Sequence, residues 1–168
     1  MRRVLLCALA SCAFACSGPT QSIAKDDTPV HLGESWFEFR ADTLGISVEQ
    51  AKSRDLAFSE DEPPDEETLD SSVAVQAAAL WSKVCAGCHG VRGDLEGAVE
   101  LSEKPKRWDG FGVRMGFFFG GDSMRAGIYR KIRDGVTKDD GTPTLMRAFG
   151  DELAREQIWA LVRHIEGF

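Results

Sequence analysis

Residues 85–90 read Cys-Ala-Gly-Cys-His-Gly, which sets two thiols three residues apart and an imidazole directly against the second. Three chemistries use such a string. Two thiolates and an imidazole are three of the four ligands of a structural zinc site. A Cys-x-x-Cys pair can also cycle between dithiol and disulfide. The same two thiols can add to the vinyl groups of a porphyrin, leaving the adjacent histidine under the iron as an axial ligand.

The rest of the chain separates these readings. The five cysteines are Cys7, Cys12, Cys16, Cys85 and Cys88, and the histidines are His31, His89 and His164. No second cysteine pair remains beyond residue 16, and no spacing points to a fourth zinc ligand. A redox dithiol normally opens a helix after a strand. Here the pair follows the apolar pattern Val73, Ala77, Leu80, Trp81, Val84, whose three- and four-residue spacings describe one face of a helix. Ser71 or Ser72 is its expected cap. The haem-attachment reading is therefore the strong one, with Cys85 and Cys88 as thioethers and His89 as the proximal iron ligand.

A distal ligand has to come from downstream. Ile158, Leu161, Val162 and Ile165 make a second helical stripe beside Trp159, and the stretch before it, "GTPTLMRAFG", combines turn formers with Met146. Taken alone, a loop methionine is usually a packing residue. Met115 and Met124 lie in "GVRMGFFFGGDSM", where Gly-rich turns are expected, with a helix from about Met124 to Asp134 stopped by Gly135.

The stretch 72–168 as a whole resembles class I cytochrome c of the single-haem bacterial type. The resemblance rests on Trp81 four residues before Cys85, on Cys85–Gly90, on "IYRKIRDGV" at 128–136, and on a Pro–Met loop ahead of a terminal helix containing "IWALV". It implies an all-α fold of three to five helices around one covalent haem c, with Met146 as distal ligand. Under that resemblance Trp108, Arg107 and Tyr129 either bond haem propionates or, for the two aromatics, fill the core. Met115 and Met124 become pocket packing, and His164 a helix-face residue. Two positions depart from the family pattern. Ala98 stands where a proline carbonyl would orient the proximal histidine, and Ala154 stands where Ser or Thr would cap the last helix.

The elements ahead of this domain read differently. "MRRVLLCALASCAFAC" has a basic start and an apolar run too short to span a bilayer. It resembles a bacterial lipoprotein signal over 1–15, with Cys16 as the lipidated residue and Cys12 as the alternative; a plain secretory signal is the competing reading. Residues 16–71 are expected to be an acidic tether. Residues 17–71 carry 4 basic and 14 acidic side chains, whereas 72–168 carry 14 and 13, so the net charge of −7 belongs to the tether. That balance argues against a nucleic-acid partner. "SEDEPPDEETLD" at 59–70 is expected to stay extended and solvated. A flexible tether of some fifty residues would reach roughly 40 Å. Within it, Ser47-Val48-Glu49-Gln50 has capping-box spacing for a helix near 48–58, and Trp36, Phe37 and Phe39 suit packing on the domain or on a partner.

The functional expectation is an electron-transfer protein rather than an enzyme. It is a mono-haem carrier lipid-anchored on the periplasmic face of a bacterial membrane, exchanging electrons with redox proteins or respiratory complexes. The alternatives are a fixed haem c subunit of a larger complex and, from another class, a haem enzyme or gas sensor.

Overall fold

The last helix needs acceptors for the N–H groups of its first turn, and Ala154 at its cap position has no side-chain oxygen. In the computed structural model, which describes residues 27–168, those acceptors come from a distant part of the chain. Asp55 accepts from the main-chain N–H groups of Arg155 (3.1 Å) and Glu156 (2.8 Å). The Gln157 side chain adds a bond from the Ala154 N–H, at 3.1 Å.

The order of elements is α1 (Glu34–Leu44), α2 (Val48–Leu56), a 3₁₀ turn (Glu66–Thr68), α3 (Ser71–Leu80), a π-helical turn (Trp81–Cys85), α4 (Ala86–His89), α5 (Phe111–Asp134) and α6 (Arg155–Glu166). The fold is all-α. Among the described residues the only β feature is an isolated antiparallel bridge between Thr137 and Pro143. α6 packs against α3 and α5, and α1 against α2. Leu80, Trp81, Val113, Phe117, Ile128, Tyr129, Ile158, Trp159, Leu161, Val162 and Ile165 form the main core. α6 buries its whole apolar stripe there, which is where most of its stability comes from.

Several local features differ from the sequence expectation. Asp70, not Ser71 or Ser72, caps α3, accepting from the N–H groups of Ser72 (2.9 Å) and Val73 (3.2 Å). The helix then widens: the Ala86 N–H donates to the Trp81 carbonyl five residues back. That extra residue per turn breaks the 3.6 period. It rotates Val84 outward to 37% exposure and turns Cys85 toward the core. α5 begins at Phe111, well before Met124. Its two halves meet at Gly121, whose φ of 47° and ψ of −127° interrupt the helix, and Gly135 at φ 78° ends it as expected.

The largest difference concerns the acidic run 59–70, which lies along the domain instead of extending into solvent, while the stretch 30–58 packs on the domain, one of its two expected sites. α2 starts at Ser47 with a reciprocal Ser47–Gln50 capping box. Trp36 is wholly buried against Val73, Ala77 and Ala160. Arg40, 2% exposed, pairs through both Nε and Nη2 with the Glu156 carboxylate (2.9 and 2.8 Å) and reaches Asp70 at 2.9 Å. The acidic run finds partners on α5 and α6: Glu60 with Arg133 and with Arg155 (2.9 Å), and Asp61 with Arg130 (2.9 Å). Trp159 donates to the Ser59 carbonyl at 2.7 Å. The run stays at the surface because it is charged and prolyl. It is ordered because arginines of the domain neutralise it.

Burial pushes the carboxyl of Glu156 above its usual range, with Arg40 opposing that shift. Removing the guanidinium would strand this charge. Arg40→Ala is expected to lower stability by about 3–5 kcal/mol in urea unfolding. Arg40→Met combined with Glu156→Leu is expected to recover most of the loss.

Candidate haem site

The π turn and α4 present the three motif residues. Cys85 is partly buried against the main core, Cys88 is exposed, and both are free thiols. His89 ends α4, and the chain turns sharply at Gly90, whose φ is 80°. A Cβ at Gly90 would lie 2.6 Å from Asp94 Oδ1 and 2.7 Å from the Leu95 nitrogen, so the turn requires glycine. The His89 ring lies 5.7 Å from Trp81 and 6.4 Å from Trp108, centroid to centroid. Trp81 is fixed by its indole N–H, which donates to the Val91 carbonyl at 2.9 Å.

His89 Nδ1 is buried and makes no hydrogen bond. Burial lowers the pKa of this imidazole, while the main-chain carbonyl of Lys106 pulls it upward. The neutral form is therefore favoured, and it is the form that ligates metal. Lys106 directly follows Pro105. The carbonyl facing the histidine thus comes from residue 106, not from the Gly97-Ala98 position where the family pattern was sought. The intervening loop is long enough to return, pinned by Val99 N–H to the Gly87 carbonyl (2.8 Å) and Trp108 N–H to the Gly93 carbonyl (2.7 Å).

Met146 sits on the loop between α5 and α6 and packs on the same core as Cys85, Trp108 and Met124. The loop is tied at both ends. The Val136 N–H donates to the Met146 carbonyl (3.0 Å), and the Phe149 and Gly150 N–H groups bond the last carbonyls of α5. Gly135 lies directly beneath it, and a Cβ there would come within 2.9 Å of the Met146 oxygen. Leu145 beside it is 64% exposed.

The remaining candidates divide. Trp108 belongs to this neighbourhood. Arg107 is exposed and already engaged with Asp109 by two hydrogen bonds (3.0 and 2.7 Å). Tyr129 stacks on Trp159 at 4.4 Å. Burial raises its pKa to about 12, and the charges it feels are those of Glu60, Arg155, Arg133 and Asp55, which places it on the side of the N-terminal segment. His164 is half-buried against Trp81 (5.9 Å) and Phe168 (5.0 Å). Cys16 and Cys12 lie outside the described residues.

Zinc and dithiol chemistry fit this arrangement poorly. Among the described residues no cluster of three or more His, Cys, Asp or Glu side chains can hold a metal ion. Burial, with a smaller push from Cys88, raises the Cys85 thiol to about 12, the reverse of the lowered pKa of a reactive dithiol. What the site offers is a buried neutral imidazole with an unpartnered Nδ1, two free thiols on the same short stretch, and a thioether packed on the same core as Cys85. Those residues suit a haem held through two thioethers.

Residues 73–165 match the family described as cytochrome c oxidase, cbb3-type, subunit III. The chain belongs to that family. No curated protein and no solved structure matches it. The domain is thus a cytochrome c, it carries covalently bound haem c, and electron transfer on that haem is the chemistry the domain provides. Sequence reasoning missed Asp55, Arg40 and the Lys106 carbonyl, because nothing local to those residues announces a partner tens of residues away.

In the haem-free cytochrome, iodoacetamide at pH 8 is expected to label the exposed Cys88 readily and Cys85 at least roughly tenfold more slowly, because burial shields Cys85 and keeps its thiol protonated. Peptide mapping by mass spectrometry reads the two sites separately. The Cys85 rate should still be rising, about tenfold per pH unit, above pH 9, because its thiol lies near 12.

Proposed function

We propose that this cytochrome is a one-electron carrier held at the periplasmic face of a bacterial membrane by lipid on Cys16. Cys85 and Cys88 form the thioethers, His89 is the proximal ligand and Met146 the distal one. The observation that carries this reading is the combination of a buried His89 imidazole, its Nδ1 without a hydrogen-bond partner, with a Met146 loop packed on the same core as Cys85. Histidine–methionine ligation fills both axial positions and raises the reduction potential, which favours electron exchange over substrate turnover. Trp81 and Trp108 hold the imidazole from the side, and the Lys106 carbonyl is the acceptor its ring N–H would use.

A second reading, a haem c subunit fixed within a larger oxidase, is favoured by the family match and by the docking of residues 28–70. Between Cys16 and Thr28 the chain can span roughly 40 Å at most, against roughly 190 Å had everything to Ser71 been free. A lipid on Cys16 would therefore keep the haem close to the bilayer, within reach of membrane-embedded partners.

Visible and near-infrared spectra of exported protein test the ligand set. The methionine–iron charge-transfer band is expected in the wild type and absent in Met146→Ala; its survival in the variant would remove Met146 from the site. Carbon monoxide is expected to bind the reduced variant but not the reduced wild type at neutral pH. Binding to the wild type would instead support a haem enzyme or gas sensor. Gel filtration in mild detergent separates the two electron-transfer readings, since co-elution with membrane subunits supports the fixed one.

A further inference from the structure

The Met146 loop is suspended between two helix ends, and the N-terminal segment grips both. On the α5 side, the Arg133 carbonyl accepts the N–H groups of Phe149 (3.2 Å) and Gly150 (2.9 Å), while the Arg133 guanidinium is bound by Glu60. On the α6 side, Asp55 accepts the first two N–H groups of the helix, and Glu60 also pairs with Arg155. Between them, the Gly33 N–H donates to the Glu152 carbonyl at 3.1 Å, and Glu152 in turn pairs with Arg147, the residue next to Met146. Arg155 Nη1 closes the set, donating to the carbonyls of Leu56 (3.2 Å) and Phe58 (3.0 Å). Glu60 alone joins the two ends, because its two oxygens contact Arg133 and Arg155 respectively.

We propose that residues 33–60 form an intramolecular clasp on the base of the Met146 loop, with Asp55 and Glu60 as positioning residues that set how firmly Met146 is held as the distal ligand. The proposal rests on the assignment of Met146 as that ligand.

The physical argument is one of loop closure. Of the larger apolar side chains between Asp134 and Arg155, only Met146, Phe149 and Leu153 are recorded as packing on the main core, and Leu145 is 64% exposed. Its position therefore depends on where its two ends are held. α6 has no cap of its own at Ala154, so releasing Asp55 frays the first turn of the helix, and Glu152 and Leu153 lie immediately before that turn. Asp55 is 7% exposed, and burial raises its carboxyl above the ordinary range against the two N–H groups that favour its charge. A carboxylate desolvated at this cost, in a chain position unrelated to α6 by sequence, acts where the loop begins its return to the core.

The test uses the full-length, exported holoprotein. Ferric wild type, Asp55→Ala, Asp55→Asn, Glu60→Gln and the exposed control Glu38→Ala are titrated with urea, following the methionine–iron band and the far-ultraviolet helix signal together. Imidazole binding to the ferric iron gives the second readout. In Asp55→Ala the band is expected to disappear at a lower urea concentration than the helix signal, and imidazole affinity to rise about tenfold, the Boltzmann equivalent of a lost helix cap. Asp55→Asn should recover part of the effect, because its amide oxygen still accepts one N–H. Glu60→Gln should show a smaller shift in the same direction, and it decides the matter if Asp55→Ala does not mature. Band and helix signal moving together in every variant, or imidazole affinity unchanged, would overturn the clasp. Absence of the band in the wild type would remove Met146 as ligand, and the clasp with it.

Discussion

The N-terminus of α6 concentrates the demands of this fold. Ala154 offers no capping oxygen to the N–H groups of Arg155 and Glu156, and each left bare in the interior would cost roughly 1–3 kcal/mol. Asp55 meets that demand from α2. Doing so places a carboxylate near Glu156, a second buried acid, which Arg40 pairs from α1. The helical hairpin is thereby committed to the domain by charge and hydrogen bonding as well as by Trp36. Removing any one of these groups leaves another buried polar group unsatisfied, which is why the set behaves as a unit.

This commitment bears on how the cytochrome works. A segment whose composition reads as a solvated leash packs from about residue 28 onward against the haem domain. Glu60, Asp61 and Asp70 pair with Arg133, Arg155, Arg130 and Arg40, so these carboxylates are held against the domain. Arg130, Arg133 and Arg155 are correspondingly occupied and are poor candidates for docking an acidic partner.

At the haem site the same economy of local elements recurs. One inserted residue at the π turn brings Cys85 inward and Val84 outward, which an unbroken α-helix through Trp81–Cys85 would not achieve. The tight turn at Gly90 sends the chain around a loop that returns Lys106 to face His89. Gly135 lets the Met146 loop lie directly on the end of α5. Each device is a small departure from regular geometry, placed beside a candidate haem residue.

Much of this was legible in the residues themselves. Cys85, Cys88 and His89 announce covalent haem because the chemistry needs those types at that spacing. The apolar stripes of α3 and α6 announce helices because their period is local, and Ser47–Gln50 announces a helix start because both halves of the capping box lie within one turn. The family resemblance, not spacing, raised Met146. What the residues could not announce were the partners of single groups across a hundred positions: Asp55 for α6, Arg40 for Glu156, Glu60 for Arg133 and Arg155, and the Lys106 carbonyl for His89. Acidity with two prolines reads as solvated chain whenever the neutralising arginines are remote, and a main-chain carbonyl has no side-chain signature at all. Local periodicity and motif chemistry therefore determined the helices and the haem attachment. Only the tertiary structure decided which charges and carbonyls close the site, because those pairings are made by proximity in space that no local spacing encodes.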